Sequence, residues 1–222
     1  MARGKEPKEN AETARQAMVG LSKLGMVLKS QAWKEAGRGG IAPTQGQILA
    51  RLRAEPAGNL NLTEVAEALG VTPATASEAV NTLAEKKLVH KTRLREDRRV
   101  KVIALTAKGR READKAAAWP DFLMEAVGEL SPEESAVFLR GLVKMIRALQ
   151  ERKQIPVGRM CLTCKYFKPN VYADPDRPHH CAFVDAPFGD RLLRLECPDH
   201  AMASPVQCET AWESFLAQKA GF

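Results

Sequence analysis

Two short amphipathic runs, "LNLTEVAEALG" and "VTPATASEAVNTLAEKKLV", meet at Gly70. Glycine accepts the left-handed conformation that closes a helix, so the chain can turn there within a few residues. In the first run Val65, Ala66 and Leu69 share one side of a helix, with Thr63 as the expected cap. In the second, Thr72 is the expected N-cap and Pro73 takes the first helical position, where its missing N–H is not needed. Two helices joined so tightly make a helix-turn-helix, which leaves the flanking segments to build a core on its back.

Those segments supply what is needed. Upstream, Met18, Leu21, Leu24, Val27 and Leu28 recur at helical intervals in one long helix over 11–36, ended by "GRGG". A second helix follows in "APTQGQILARLRAE", with Thr44 as expected N-cap. Downstream the period changes: "LVHKTRL" and "RVKVIAL" are rich in β-branched residues and flank the polar "REDR", which predicts a hairpin charged at its tip. Thr106 is placed to cap a helix in "AKGRREADKAAAW", and Pro120 interrupts the chain beyond it. Ser131, Pro132 and Glu134 then form the capping box of a last long helix, striped by Phe138, Leu142, Met145, Ile146 and Leu149. Such a stripe packs either on the protein's own core or on a second subunit.

Charge follows this division. Residues 154–222 hold seven Lys+Arg against eight Asp+Glu, which leaves 27 basic and 19 acidic residues before them. The stretch Lys86 to Lys101 carries eight basic and two acidic side chains, a density suited to a phosphate backbone. No apolar run approaches the ~20 residues that cross a bilayer, and the N-terminus lacks the apolar stretch of a secretory signal. The expectation is a soluble, cytoplasmic protein with reduced thiols.

The order helix, helix, helix-turn-helix, basic hairpin, helix, helix resembles the winged-helix fold of the MarR family of transcription regulators, over 11–153. "LTEVAEALGVTPATASEAVNTLAEKKLV" and "REDRRVKVIALTAKGR" carry the resemblance. It implies a mainly α fold with a small β wing, a recognition helix from Thr72 to Glu85 in the major groove, and base or phosphate contacts from Thr72, Thr75, Ser77, Glu78 and Thr82. Arg99 would enter the minor groove, its guanidinium fixed by Asp97, while Lys87, Lys91, Arg93, Arg95, Arg98 and Lys101 neutralise phosphates. Glu78 stands where the family often has a basic residue, and Lys87 where it usually has glycine. The resemblance further implies a homodimer on a pseudo-palindromic operator of double-stranded DNA, and in many members a small-molecule effector between the dimerisation helices and the winged domain.

Beyond a frayed start (1–10) and the winged helix, residues 154–222 form a third region. Cys161 and Cys164 make a Cys-x-x-Cys knuckle; Cys181 follows after sixteen residues and Cys197 after fifteen more. His179 and His180 adjoin the third cysteine and His200 lies three beyond the fourth. The segment reads as a small irregular module, too loop-rich to bury much apolar surface, in which a metal supplies folding energy. Zinc would close a tetrahedral site of three or four thiolates; a 4Fe–4S or 2Fe–2S cluster also takes four. The run around Cys161 to Phe167 is similar to high-potential iron-sulfur proteins, and the spacing leaves zinc and cluster equally open, with a metal-free scaffold as the third option. The histidines are candidate ligands, hydrogen-bond partners to a centre, or loop residues. Cys208 lies outside the spacing pattern.

The functional expectation is a dimeric DNA-binding regulator whose affinity is tuned by a cysteine-ligated centre. The alternatives are a regulator answering a small molecule, with a structural zinc tail, and a zinc enzyme using His200 or Asp199 as base. No nucleophile and base converge in the sequence beyond the cysteines, so an enzyme is not expected.

Overall fold

The computed structural model describes residues 6–93 and 101–217. Residues cluster into two compact units, Met1–Met124 and Glu125–Phe222.

In the first unit α1 (Glu6–Gly39) ends at Gly40, whose φ is +62°. α2 (Pro43–Ala54) starts from Ala42 rather than from the expected Thr44: Pro43 presets the first turn, and the Gln45 side chain accepts the Ala42 N–H at 3.2 Å. The cap of α3 (Leu62–Leu69) is likewise corrected from Thr63 to Asn61. The Asn61 side chain accepts the Glu64 N–H at 3.0 Å and Glu64 accepts the Asn61 N–H at 2.7 Å. Gly70 closes α3 at φ +63°, and Thr72 caps α4 (Pro73–Glu85), as the sequence predicts.

The hairpin forms as β2 (Val89–Arg93) and β3 (Lys101–Leu105), and β1 (Asn59–Asn61) completes an antiparallel sheet in the order β1-β3-β2. β1 is only three residues long, too short for a periodic signal, and is fixed by pairing Leu60 with Ile103. Ile48, Leu49, Leu52, Val65, Ala76, Val80, Leu83 and Ile103 form the core on the back of the helix pair. Thr106 caps α5 (Ala107–Ala117) by accepting the Gly109 N–H at 2.9 Å, and its hydroxyl donates to the Lys87 carbonyl at 2.8 Å. A Cβ on Gly109 would stand 1.8 Å from the Leu88 carbonyl oxygen, so only glycine lets α5 lie this close to the wing.

α6 (Phe122–Gly128) follows Pro120 and leads to α7 (Pro132–Glu151), opened by the expected Ser131/Glu134 capping box. In the second unit α7 shares a core with the cysteine-rich segment, although composition alone places a boundary near 153. Val143 packs with Met160, Leu162, Phe167, Leu193 and Phe215. The stripe assigned to α7 divides: Phe138, Met145 and Leu149 are exposed, while the face of Arg140, Val143 and Arg147 is buried. Arg140 lies over the Phe215 ring at 3.9 Å and Arg147 over Trp212 at 4.5 Å, both on α8 (Pro205–Ala217).

β4 (Phe167–Lys168), β5 (His179–Cys181) and β6 (Ala186–Phe188) make a second small antiparallel sheet. This unit therefore has an apolar core of its own, contrary to the expectation that it buries little. The sequence hides this because the strands are short and two of the core-facing side chains are arginines.

Candidate functional site

One face of α4 is committed to the core through Ala76, Val80 and Leu83. The opposite face presents Thr72, Thr75 and Glu78 to solvent, whereas Ser77 and Thr82 are half-buried. Some of these hydroxyls are already engaged. Thr72 Oγ1 accepts the Thr75 N–H at 3.2 Å, and Thr82 donates to the Glu78 carbonyl at 3.1 Å. Asn81 also lies on the exposed face and accepts a hydrogen bond from Lys91 Nζ. Sequence reasoning missed it, although its three-residue offset from Glu78 places it on the same helical face.

Lys91, Arg93 and Lys101 are exposed on the hairpin strands. Arg93 and Lys101 are direct cross-strand partners, an arrangement of like charges that destabilises a free sheet and that a polyanion relieves. Lys87 is exposed at φ +58°, the left-handed turn in which glycine is the strain-free choice. Its neighbour Lys86 donates to the Gly40 carbonyl at 2.7 Å and to Gln45 Oε1 at 3.0 Å, which anchors the end of α4 to the start of α2. Arg95, Asp97, Arg98 and Arg99 lie outside the described residues.

Residues 39–100 match the MarR family model. Among solved structures, Staphylococcus aureus MepR in its DNA-binding conformation superposes with a TM-score of 0.54 at 27% identity, covering 60% of this chain and 98% of that one. The S. aureus MepR–DNA complex gives 0.51 at 27% identity over 59% of this chain and 95% of that one. Streptococcus pneumoniae FabT in complex with DNA shares the fold, with a TM-score of 0.54 at 24% identity over 63% and 98%. Comparison with curated proteins gives no match. The segment from α2 to the wing is thus similar to the MarR-type winged helix, in sequence and in fold.

The second constellation is the set of cysteines. Cys161 opens a 3-10 turn, Cys164 follows that turn, Cys181 ends β5 and Cys197 sits on a loop. All four line one cavity of about 270 Å³ walled largely by apolar side chains. Burial pushes the Cys161 thiol up to about 11, and the nearby Cys197, Cys164 and Cys181 act in the same direction against the Arg194 N–H that bonds its sulfur. Among the described residues no three His, Cys, Asp or Glu side chains converge tightly enough to hold a single ion.

None of the three candidate histidines lines this cavity. Fully buried His179 accepts the Asn170 N–H at Nδ1 (3.2 Å) and meets Asp190 at Nε2 (2.8 Å), which uses both ring nitrogens. His180 meets the Tyr172 hydroxyl at 2.9 Å and Asp185 at 3.4 Å. His200 meets Thr163 Oγ1 at 3.0 Å, and burial first, then Arg159, hold its pKa down. Asp190 also receives Arg140 at 3.1 Å. Burial opposes its ionisation, but the His179 hydrogen bond and the Arg140 charge outweigh that and keep the carboxyl below its ordinary range. Cys208 does not line the cavity and its sulfur lies 3.9 Å from the Ala203 carbonyl.

Proposed function

We propose that this chain is a homodimeric transcription regulator that binds double-stranded DNA, with α4 in the major groove and the β2–β3 hairpin reaching the minor groove. The observation that carries this reading is the juxtaposition on one unit of an exposed polar face of α4 (Thr75, Glu78, Asn81) with the opposed cations Arg93 and Lys101. The likeness to MepR, solved bound to DNA, supports it. Met18, Leu24, Met26, Val27 and Trp33 on α1, with Phe138 and Met145 on α7, expose more apolar surface than isolated helices keep in water, which fits a second copy of the chain. Among the described residues no helix is long and apolar enough to cross a membrane, and the reading places the protein in the cytoplasm, acting as a regulator and not as an enzyme.

The decisive experiment is fluorescence anisotropy with short duplexes across a salt series. A specific duplex is expected to bind with affinity falling steeply with salt, and Arg99→Ala to weaken binding about tenfold or more. An unchanged affinity and salt slope in that variant would remove the wing from the interface.

In the same reading, a cysteine-ligated centre in Glu125–Phe222 tunes DNA affinity. A second reading has a small molecule as the signal. It is favoured by a cavity of about 670 Å³ in the first unit lined by Trp33 and Trp119, where Arg51 Nη1 is buried without a hydrogen-bond partner among the described residues. An anionic effector held there would quench tryptophan fluorescence, and a flat titration would sink this second reading.

A further inference from the structure

We infer that the cysteine chamber takes a four-iron, four-sulfide cubane cluster and not a single zinc ion. The inference deepens the reading of a cysteine-ligated centre and stands apart from the DNA-binding reading.

A zinc ion binds sulfur at about 2.3 Å, so a tetrahedral site draws all four sulfurs to within about 3.8 Å of one another. One ion also fills less space than a water molecule, whose share of the liquid is roughly 30 Å³. Here the four thiols stand around a chamber of about 270 Å³ instead of meeting at a point. The backbone holds them there. The Cys161 N–H donates to the Arg194 carbonyl at 3.0 Å, the Cys164 N–H to the Cys161 carbonyl at 2.9 Å, and the Cys197 N–H to the Arg159 carbonyl at 2.8 Å. Cys181 is fixed between Phe167 and Ala186 in the β4-β5-β6 ladder. These bonds fix the backbone at each cysteine, and a single ion drawn among the four sulfurs would leave apolar walls facing a void.

A cubane asks for the opposite arrangement, with one thiolate at each of four iron corners around a body of eight inorganic atoms. A two-iron cluster is a smaller, flat body that takes its thiolates as two pairs in space at opposite ends. Tyr166, Phe183, Phe188 and Leu192 give the chamber an apolar wall, with Phe183 and Leu192 exposed at its mouth.

The charge balance is also met locally. Two ferrous and two ferric ions with four sulfides make a core of charge +2; four cysteines displace four waters from its irons and release four protons to solvent, so the ligated core carries a net charge of −2. Arg194 faces that charge twice. Its backbone N–H lies 3.3 Å from Cys161 Sγ and its guanidinium 3.8 Å from Cys197 Sγ, with Asp199 on the same rim 3.9 Å from the guanidinium. N–H···S bonds withdraw charge from thiolates and favour the more reduced cluster. Arg194 is therefore assigned as the residue that tunes the potential of the site.

The test uses the full chain purified without oxygen and, in parallel, reconstituted anaerobically with sulfide and equal amounts of ferrous and ferric iron. The expected result is a brown protein with about four iron and four sulfide per chain. Cys181→Ser and Cys197→Ser lose the iron, and Cys208→Ser keeps it. Retained circular dichroism and an unchanged elution volume in each variant separate loss of a ligand from loss of fold. Arg194→Ala keeps the iron and lowers the midpoint potential measured by redox titration; an unchanged potential overturns the role of Arg194. About one zinc per chain, resistant to replacement by iron and sulfide, overturns the cluster while leaving a cysteine-ligated centre. About two iron per chain also overturns the cubane. A chain that takes up neither metal overturns the centre altogether, while the presence or absence of any specific duplex binding tests the DNA-binding reading separately.

Discussion

The two units solve opposite problems with the same means. In Met1–Met124 a closed apolar core lies behind the helix-turn-helix, and the residues with chemistry to offer point outward from α4 and β2. In Glu125–Phe222 the core lies between α7, α8 and short strands, and the reactive residues point inward, into a chamber whose lip is set by backbone hydrogen bonds. A surface built to meet a polyanion needs only exposure, charge and a rigid base. A site built around four thiols needs their backbone positions fixed in advance, because four thiolates left together repel one another.

The contrast breaks most readily at Gly109. Gly109→Ala puts a methyl group into the Leu88 carbonyl, and the backbone has to move, which costs about 3 kcal/mol. Calorimetry should show the transition of the first unit lowered and DNA affinity lost, with iron uptake by the cysteines kept. Loss of both functions together would mean that the two units do not fold as separate cores.

A smaller effect is expected from acidification of the second unit. The Asp190 pKa is lowered in the folded protein, so its contribution is full above the ordinary carboxylate range and is lost as pH falls through the lowered value. Melting of the second unit should therefore weaken on acidification below about pH 4, and Asp190→Asn should flatten that slope. An unaltered slope in the variant would remove the His179–Asp190–Arg140 network from the stability of this unit.

The smallest effect is a gain. Lys87 holds φ +58° without a favourable side chain for it, so Lys87→Gly should stabilise the first unit by up to about 1 kcal/mol in thermal melts. The same change removes a cation from the DNA face, and the salt slope should fall by about one. Destabilisation would show that the lysine side chain compensates for its own backbone.

The first unit was legible from sequence because its signals are local. Gly70, Thr72, Pro73 and Thr106 each act within one turn of their own position, and each does in the structure what its type implies. Asn61 and Ala42 displaced the expected caps by two residues each, since side chains in the first turn compete for the same N–H groups. The role of Gly109 could not be read, because it depends on Leu88, a residue brought near only by the fold.

The second unit gave up its ligand types but not its geometry. Cys161, Cys164, Cys181 and Cys197 announced themselves by spacing, while His179, which the sequence leaves open as ligand, hydrogen-bond partner or loop residue, lies in the core with both nitrogens occupied. Arg140 and Arg147 are buried over aromatic rings of α8, a placement that no local pattern announces.

Sequence by itself determined the helix-turn-helix, the basic hairpin and the set of four thiols, because capping, turn chemistry and charge are properties of neighbouring residues. Only the tertiary structure decided that α7 shares a core with the cysteine-rich segment and that the thiols surround a chamber. The distance between side chains far apart in sequence is fixed by packing, which no local pattern records.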